Sequence, residues 1–135
     1  MFVVKTNDRA SGVRSLIGKM VTAADYQDKK VALKANYNSA DEFPASTHID
    51  TLTEIVRWLK KDAKVSKLVL AERSGMGDTR EVLKDRGVFN LAGDLGFDVV
   101  VLDELVKQGW VKNQPDGSHW KRGFLFPKTF LNADK

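Results

Sequence analysis

The sequence contains no cysteine, which excludes disulfides, thiolate zinc sites, cysteine-ligated iron–sulfur clusters and cysteine nucleophiles within this chain. The two histidines, His48 and His119, leave little for a metal, and no metal site is expected. No apolar run approaches the roughly 20 residues that a membrane-crossing helix needs, and the N-terminus lacks the basic start and apolar stretch of a signal peptide. A soluble, cytoplasmic protein without a membrane partner is the expectation. Three prolines, 42% hydrophobic and 30% charged residues in 135 positions exclude a disordered chain and match one domain over residues 1–135.

Charge of either sign is scarce as a net quantity over most of the chain. Residues 1–104 hold 16 basic and 16 acidic side chains, whereas residues 105–135 hold six and two, so the whole excess of +4 is C-terminal.

What is present reads as alternating elements. Phe2–Thr6 reads as a first strand, and Asn7 or Asp8 can cap a helix whose Val13, Leu16, Ile17 and Met20 share one face. Residues 21–29 form a loop before a strand over Lys30–Ala35, and a long polar connection follows over residues 36–47. Thr47 is placed to cap the next helix, with Asp50 at its positive end and Ile49, Leu52, Ile55, Val56 and Leu59 on its apolar face. Lys67–Glu72 is an apolar run suited to a buried parallel strand. The Gly-rich segment Arg73–Thr79 leads into a helix over Arg80–Arg86 ended by Gly87, then a helix to Leu95 ended by Gly96, then a strand over Phe97–Leu102. This alternation specifies an α/β fold, a parallel sheet covered by helices. Beyond it come a short helix at Glu104–Gln108 and a C-terminal β-hairpin, Trp110–Asn113 with His119–Phe124, around Pro115-Asp116-Gly117.

Open α/β sheets bind ligands at the carboxyl ends of their strands. Two loops fall there: Asn36-Tyr37-Asn38-Ser39 closed by Ser46-Thr47-His48, and Glu72–Thr79. In the second, Gly75 and Gly77 allow backbone N–H groups to converge, Ser74 and Thr79 add hydroxyls, and Arg73 or Arg80 adds charge, which together describe an anion cradle. The same residues also fit a plain strand-to-helix turn, with both glycines at positive φ and Asp78 or Thr79 as cap. The segment matches neither the lysine-bearing phosphate loop nor the three-glycine dinucleotide fingerprint. Asn36, Asn38, Ser39 and Thr47 form either a polar ligand wall or a turn with its cap, and His48 is a candidate acid or base. Glu72 is a candidate base or metal ligand, or a partner of Arg73 or Lys34; Asp41, Glu42 and Asp78 are the other carboxylates within reach.

The C-terminal segment interleaves Lys112, Lys121, Arg122 and Lys128 with Trp110, Trp120, Phe124, Phe126 and Phe130. Such a composition binds single-stranded nucleic acid by stacking and phosphate contact, and it equally describes a buried hairpin with a solvated basic face. The modest net charge and the absence of a nucleic-acid motif favour the hairpin.

Three stretches, Val31-Ala32-Leu33-Lys34-Ala35-Asn36-Tyr37-Asn38-Ser39, Pro44-Ala45-Ser46-Thr47-His48 and Ala71-Glu72-Arg73-Ser74-Gly75-Met76-Gly77-Asp78-Thr79, followed by Arg80, occur in the order seen in the domain-of-unknown-function family 362. Over residues 28–130 the chain resembles that family. The resemblance implies a Rossmann-like three-layer sandwich and a shared site that includes Lys34, Asn36, Asn38, Thr47, His48, Glu72, Ser74, Gly75, Gly77 and Thr79. It implies no activity and no identified cofactor. Some relatives carry iron–sulfur modules, which this cysteine-free chain cannot hold itself. Family members continue past the position of Lys135 into strands bearing Leu-Lys-Thr-His and Leu-Lys-Asn motifs, and neither motif occurs here. The resemblance therefore implies either a fragment of a longer domain or a short member with a reduced site.

The functional expectation is a small anionic or phosphorylated ligand between the two loops. Lys34, Asn36, Asn38, Ser39, Thr47, Arg73, Ser74, Gly75, Gly77 and Thr79 would contact it, and His48 or Glu72 would handle protons if there is chemistry. The alternative is an interaction module that uses the basic aromatic C-terminus to bind a protein, a second copy or, less in keeping with the charge, nucleic acid.

Overall fold

The computed structural model describes residues 1–135. A three-stranded parallel sheet forms its centre, with β1 Lys30–Leu33, β2 Lys67–Glu72 and β3 Asp98–Val101 in spatial order β1-β2-β3. The registers Val31↔Leu68, Leu33↔Leu70, Leu70↔Val99 and Glu72↔Val101 put these side chains on one face. Both crossovers step in the same direction, so right-handed connection brings α2 Ile49–Arg57, α3 Thr79–Asp85 and α4 Val88–Leu95 to that same face. There Val31, Leu68, Leu70 and Val101 pack against Leu52, Val56, Leu59, Val82, Leu83, Val88 and Ala92. The fold is α/β, as the alternation of elements specifies.

The second face of the sheet is covered thinly. Val69 and Val100 border a hollow of about 330 Å³ whose other wall is Thr129, Asn132 and Ala133. The chain's last residues then join the β1 edge: Ala32 N–H donates to Lys135 O at 2.9 Å and Asp134 N–H to Lys30 O at 2.8 Å. Residues 2–6, expected as a strand, form none. A strand needs an edge to satisfy its backbone, and the β1 edge is occupied by this C-terminal segment. Instead Asp8 caps α1 Arg9–Met20 by accepting from Ser11 N–H at 2.8 Å, and α1 packs on α2.

Other boundaries also differ from expectation. α2 is capped by His48 and not Thr47: His48 Nδ1 accepts from Asp50 N–H at 3.2 Å, while Thr47 Oγ1 accepts from Asn36 N–H at 3.0 Å. Helix α2 runs on through a wider π turn at Trp58–Asp62. Gly87 and Gly96 do end their helical segments, at φ of 73° and 67°. After β3, 3₁₀ turns at Leu102–Glu104 and Lys107–Gly109 replace the expected helix.

The hairpin exists, but its second strand lies later in the sequence than expected. β4 Trp110–Asn113 pairs antiparallel with β5 Phe124–Pro127, and α5 Lys128–Leu131 follows. The basic stretch His119–Arg122 belongs to the connection, which closes at Gly123 (φ 73°) with Gly123 N–H donating to Trp120 O at 2.7 Å. The apolar run Phe124-Leu125-Phe126 makes the better strand, because β-structure favours aromatic residues. No helix is long and apolar enough to cross a membrane.

Candidate functional site at the carboxyl ends of the strands

Parallel pairing of β1 and β2 places the loops that follow them side by side. Their closest link is Glu72, at the end of β2 and fully buried. Lys34, one residue past β1, donates to Glu72 Oε1 at 2.7 Å and Oε2 at 2.9 Å. Arg73 N–H donates to Oε1 at 2.9 Å and Tyr37 N–H to Oε2 at 3.3 Å. Every partner is a donor, which is what an ionised carboxylate requires when water is excluded.

Further out the loops join directly. Ser74 Oγ donates to Tyr37 O at 2.7 Å, Gly75 N–H to Asn38 Oδ1 at 3.0 Å and Met76 N–H to Asn38 O at 2.9 Å. The two glycines have different duties. Gly77 adopts φ 83° and turns the chain into α3, whereas Gly75 lacks a positive φ and is small so that Asn38 can approach, since a Cβ there would overlap Asn38 Oδ1. Asp78, not Thr79, caps α3 by accepting from Glu81 N–H at 3.0 Å.

The sequence-selected residues thus fall into three sets. Lys34, Asn38, Glu72, Arg73, Ser74, Gly75 and Thr79 belong to one hydrogen-bonded network. Asn36, Ser39 and Thr47 brace their own loop: Asn36 Nδ2 donates to Ala45 O at 3.2 Å, Ser39 Oγ to Asp41 Oδ2 at 2.7 Å, and Thr47 N–H to Asn36 O at 2.8 Å. His48 stands apart, its Nδ1 engaged in the α2 cap and its ring edge against Phe43. No group of three or more histidine and carboxylate side chains is gathered that could hold a metal ion.

Most donors of the Gly-rich loop are already engaged, so its cation-bearing rim is the part that still faces solvent. Thr79 Oγ1 is buried, accepts from Ser74 N–H at 2.9 Å, and donates outward to Asp103 Oδ2. Arg73 Nε donates to Asp103 Oδ1 at 2.7 Å, and Arg80 grips Glu104 with two bonds of 2.6 Å. The Thr79 hydroxyl and then Arg73 hold the Asp103 carboxyl below the usual carboxylate range. Arg80 does the same for Glu104 through its hydrogen bonds, and its own guanidinium is pushed up in return. Burial pushes the Tyr37 phenol up to about 12, and its hydroxyl has no hydrogen-bond partner. An apolar groove of about 370 Å³ lies between α1, α2 and β1, and a polar recess of about 590 Å³ lies near Thr6, Asp8, Arg9 and Asp50.

A family model described as "Domain of unknown function (DUF362)" matches residues 31–135, from β1 to Lys135. The chain belongs to the DUF362 family. Within this DUF362 chain the match takes in both loops and leaves α1 outside. No curated protein and no solved structure matches it.

Sequence reasoning missed Tyr37, Asp103 and Glu104 among the residues gathered at the carboxyl ends of the strands. A signal for the two carboxylates was available, because the third parallel strand must end on the same side as the first two. Tyr37 carried none, since an aromatic residue in a polar loop gives no sign of being buried.

Proposed function

We propose that this rim binds a small anionic or phosphorylated ligand, and the reading is one of binding rather than catalysis. The observation that carries it is the convergence of the Thr79 hydroxyl and the Arg73 guanidinium on the two oxygens of a single carboxylate, that of Asp103. Donors preset around one anionic group suit another, and guanidinium with hydroxyl is a common pairing for phosphate. In this reading Arg73, Arg80, Thr79 and Lys34 meet the ligand. Asn36, Asn38, Ser39, Thr47, Ser74, Gly75 and Gly77 hold the loops that present them. A proton-transfer role for His48 or Glu72 is not part of it, since His48 Nδ1 and both Glu72 oxygens are engaged. The ligand would be met in the cytoplasm.

The test is thermal unfolding with inorganic phosphate, pyrophosphate and small carboxylates. Saturation at about 100 times Kd stabilises by about 2.7 kcal/mol, a rise of several degrees. The rise should vanish in Arg73→Gln and Thr79→Val and shrink in Gly77→Val. Failure of every anion to move the wild-type melting temperature sinks the reading.

A second reading is favoured by the exposure of Trp120 (65%) and Leu125 (61%) beside Lys121, Arg122 and Lys112. On it the C-terminal segment is an interaction surface for a protein or a second copy. Salt-sensitive binding lost in Lys121→Glu/Arg122→Glu would favour it, and a monomer indifferent to salt and partners would not.

A further inference from the structure

Asp103 and Glu104 are consecutive residues on a single 3₁₀ turn, Leu102–Glu104, immediately after β3. The two carboxylates meet the loop after β2 and the first turn of α3, and each is taken by a different cation. Asp103 lies between Arg73 Nε at 2.7 Å and the Thr79 hydroxyl, and Glu104 lies in the fork of Arg80 at 2.6 Å twice. Thr79 and Arg80 are also held by groups other than these carboxylates. Thr79 Oγ1 accepts from Ser74 N–H, which holds the hydroxyl in place while its proton is given to Asp103. The Arg80 guanidinium rests over the Phe89 ring, 5.4 Å from its centroid. The backbone of Arg73 is anchored through its N–H on buried Glu72, and its guanidinium has Asp103 as its partner.

Both ion pairs are open to solvent. The side chains of Arg73 and Arg80 are 68% and 52% exposed, and those of Asp103 and Glu104 are 41% and 49% exposed. Solvent-exposed ion pairs hold weakly. Leu102 beneath the turn is buried, so the turn keeps its place when its two acidic tips swing out.

We propose that Arg73, Thr79 and Arg80 form a two-pronged receptor for a ligand bearing two adjacent anionic groups, and that Asp103 and Glu104 are internal stand-ins which that ligand displaces. The inference rests on the anion-binding reading above and narrows its ligand to dianions such as a pyrophosphoryl group or a small dicarboxylate. It also gives the site a threshold. A receptor occupied by its own chain binds with an apparent Kd equal to its intrinsic Kd divided by the fraction of time that it is open. Selectivity follows from the two prongs, because one anionic group can replace only one of the two carboxylates.

The experiment is titration calorimetry of the full chain with pyrophosphate, phosphate, succinate and acetate, on wild type, Asp103→Asn/Glu104→Gln and Glu104→Gln alone. Glu104 is exposed, so the single variant leaves the fold untouched, and circular dichroism checks both. Pyrophosphate or succinate should bind the double variant about tenfold more tightly than wild type, with phosphate and acetate gaining less. The gain should disappear when Arg73→Gln or Arg80→Gln is added. Equal affinity in wild type and variants overturns the inference and leaves the anion-binding reading standing. A gain that survives loss of the arginines, or one equal for phosphate and pyrophosphate, overturns the inference too. Absence of binding in wild type and variants alike ends both.

Discussion

Two regions that both carry apolar residues behave differently. Between β1 and β3 the apolar residues are gathered by three strands and the helices between them into one cluster that includes Leu52, Val56, Leu70, Leu83 and Val88. Beyond Val101 only Leu102 and Pro127 are buried, and Val106, Trp120, Leu125 and Leu131 are exposed. The first region closes a layer of helices over a sheet face, whereas the second is a two-stranded hairpin with one helical turn. Two strands lack the area to bury both of their faces. Apolar composition supplies material for a core, and layer geometry determines where a core forms.

The largest effect should come from cutting into the covered face. Leu70→Ala or Leu83→Ala, at positions without exposure, should cost about 3 to 4 kcal/mol in urea unfolding. Leu125→Ala on the hairpin should stay within about 0.5 kcal/mol. Equal losses would mean that the hairpin belongs to the cooperative core and would erase the contrast.

A smaller loss is expected at the junction of the loops. Glu72→Gln replaces a buried carboxylate that serves Lys34, Arg73 N–H and Tyr37 N–H, and should destabilise by about 2 kcal/mol. Lys34→Met should cost about as much, because it removes the ammonium that faces both oxygens of the buried Glu72 carboxylate. A Lys34→Met loss well below that of Glu72→Gln would show that the backbone donors alone satisfy the carboxylate.

Below these stand the glycines, at about 1 kcal/mol each. Gly77→Ala forces a side chain into φ 83°, and Gly75→Ala pushes Asn38 off Gly75 N–H. Adding Asn38→Ala should relieve part of the Gly75→Ala loss and none of the Gly77→Ala loss, which a double-mutant cycle reads directly.

The smallest effect is that of pH on the rim. The Asp103 carboxyl lies below its ordinary value in the fold, so its contribution is fully present above about pH 4 and fades as pH falls through the depressed value. Asp103→Asn should therefore lower the neutral plateau slightly and flatten the acid limb, with stability at low pH nearly unchanged. An unaltered acid limb would show that the Thr79 and Arg73 bonds do not favour the charged form.

Much of the covered region was legible because its signals are local. The apolar spacing along α2, the run Lys67–Glu72 and the stops at Gly87 and Gly96 each depend on a few neighbouring residues. Errors arose where a distant group competed for a local one. Thr47 is a good cap by type, yet its hydroxyl serves Asn36 N–H across the loop and the cap passes to His48. Residues 2–6 have the composition of a strand, but the edge they would need is held by residues some 130 positions later. At the site, Gly77 was readable as a positive-φ turn, while Gly75 had to be seen against Asn38 before its duty was clear.

The sequence by itself determined the α/β alternation, the parallel sheet, the exclusion of cysteine chemistry and the two loops that follow the first two strands. Its periodicities and stop signals act within a few residues and survive in any arrangement of the chain. Only the tertiary structure decided that the helices share one face, that Lys135 rather than the N-terminus completes the β1 edge, and that Asp103 and Glu104 answer Arg73, Thr79 and Arg80. Those outcomes depend on strand order and on which charges meet across more than twenty intervening residues, and local spacing carries no record of either.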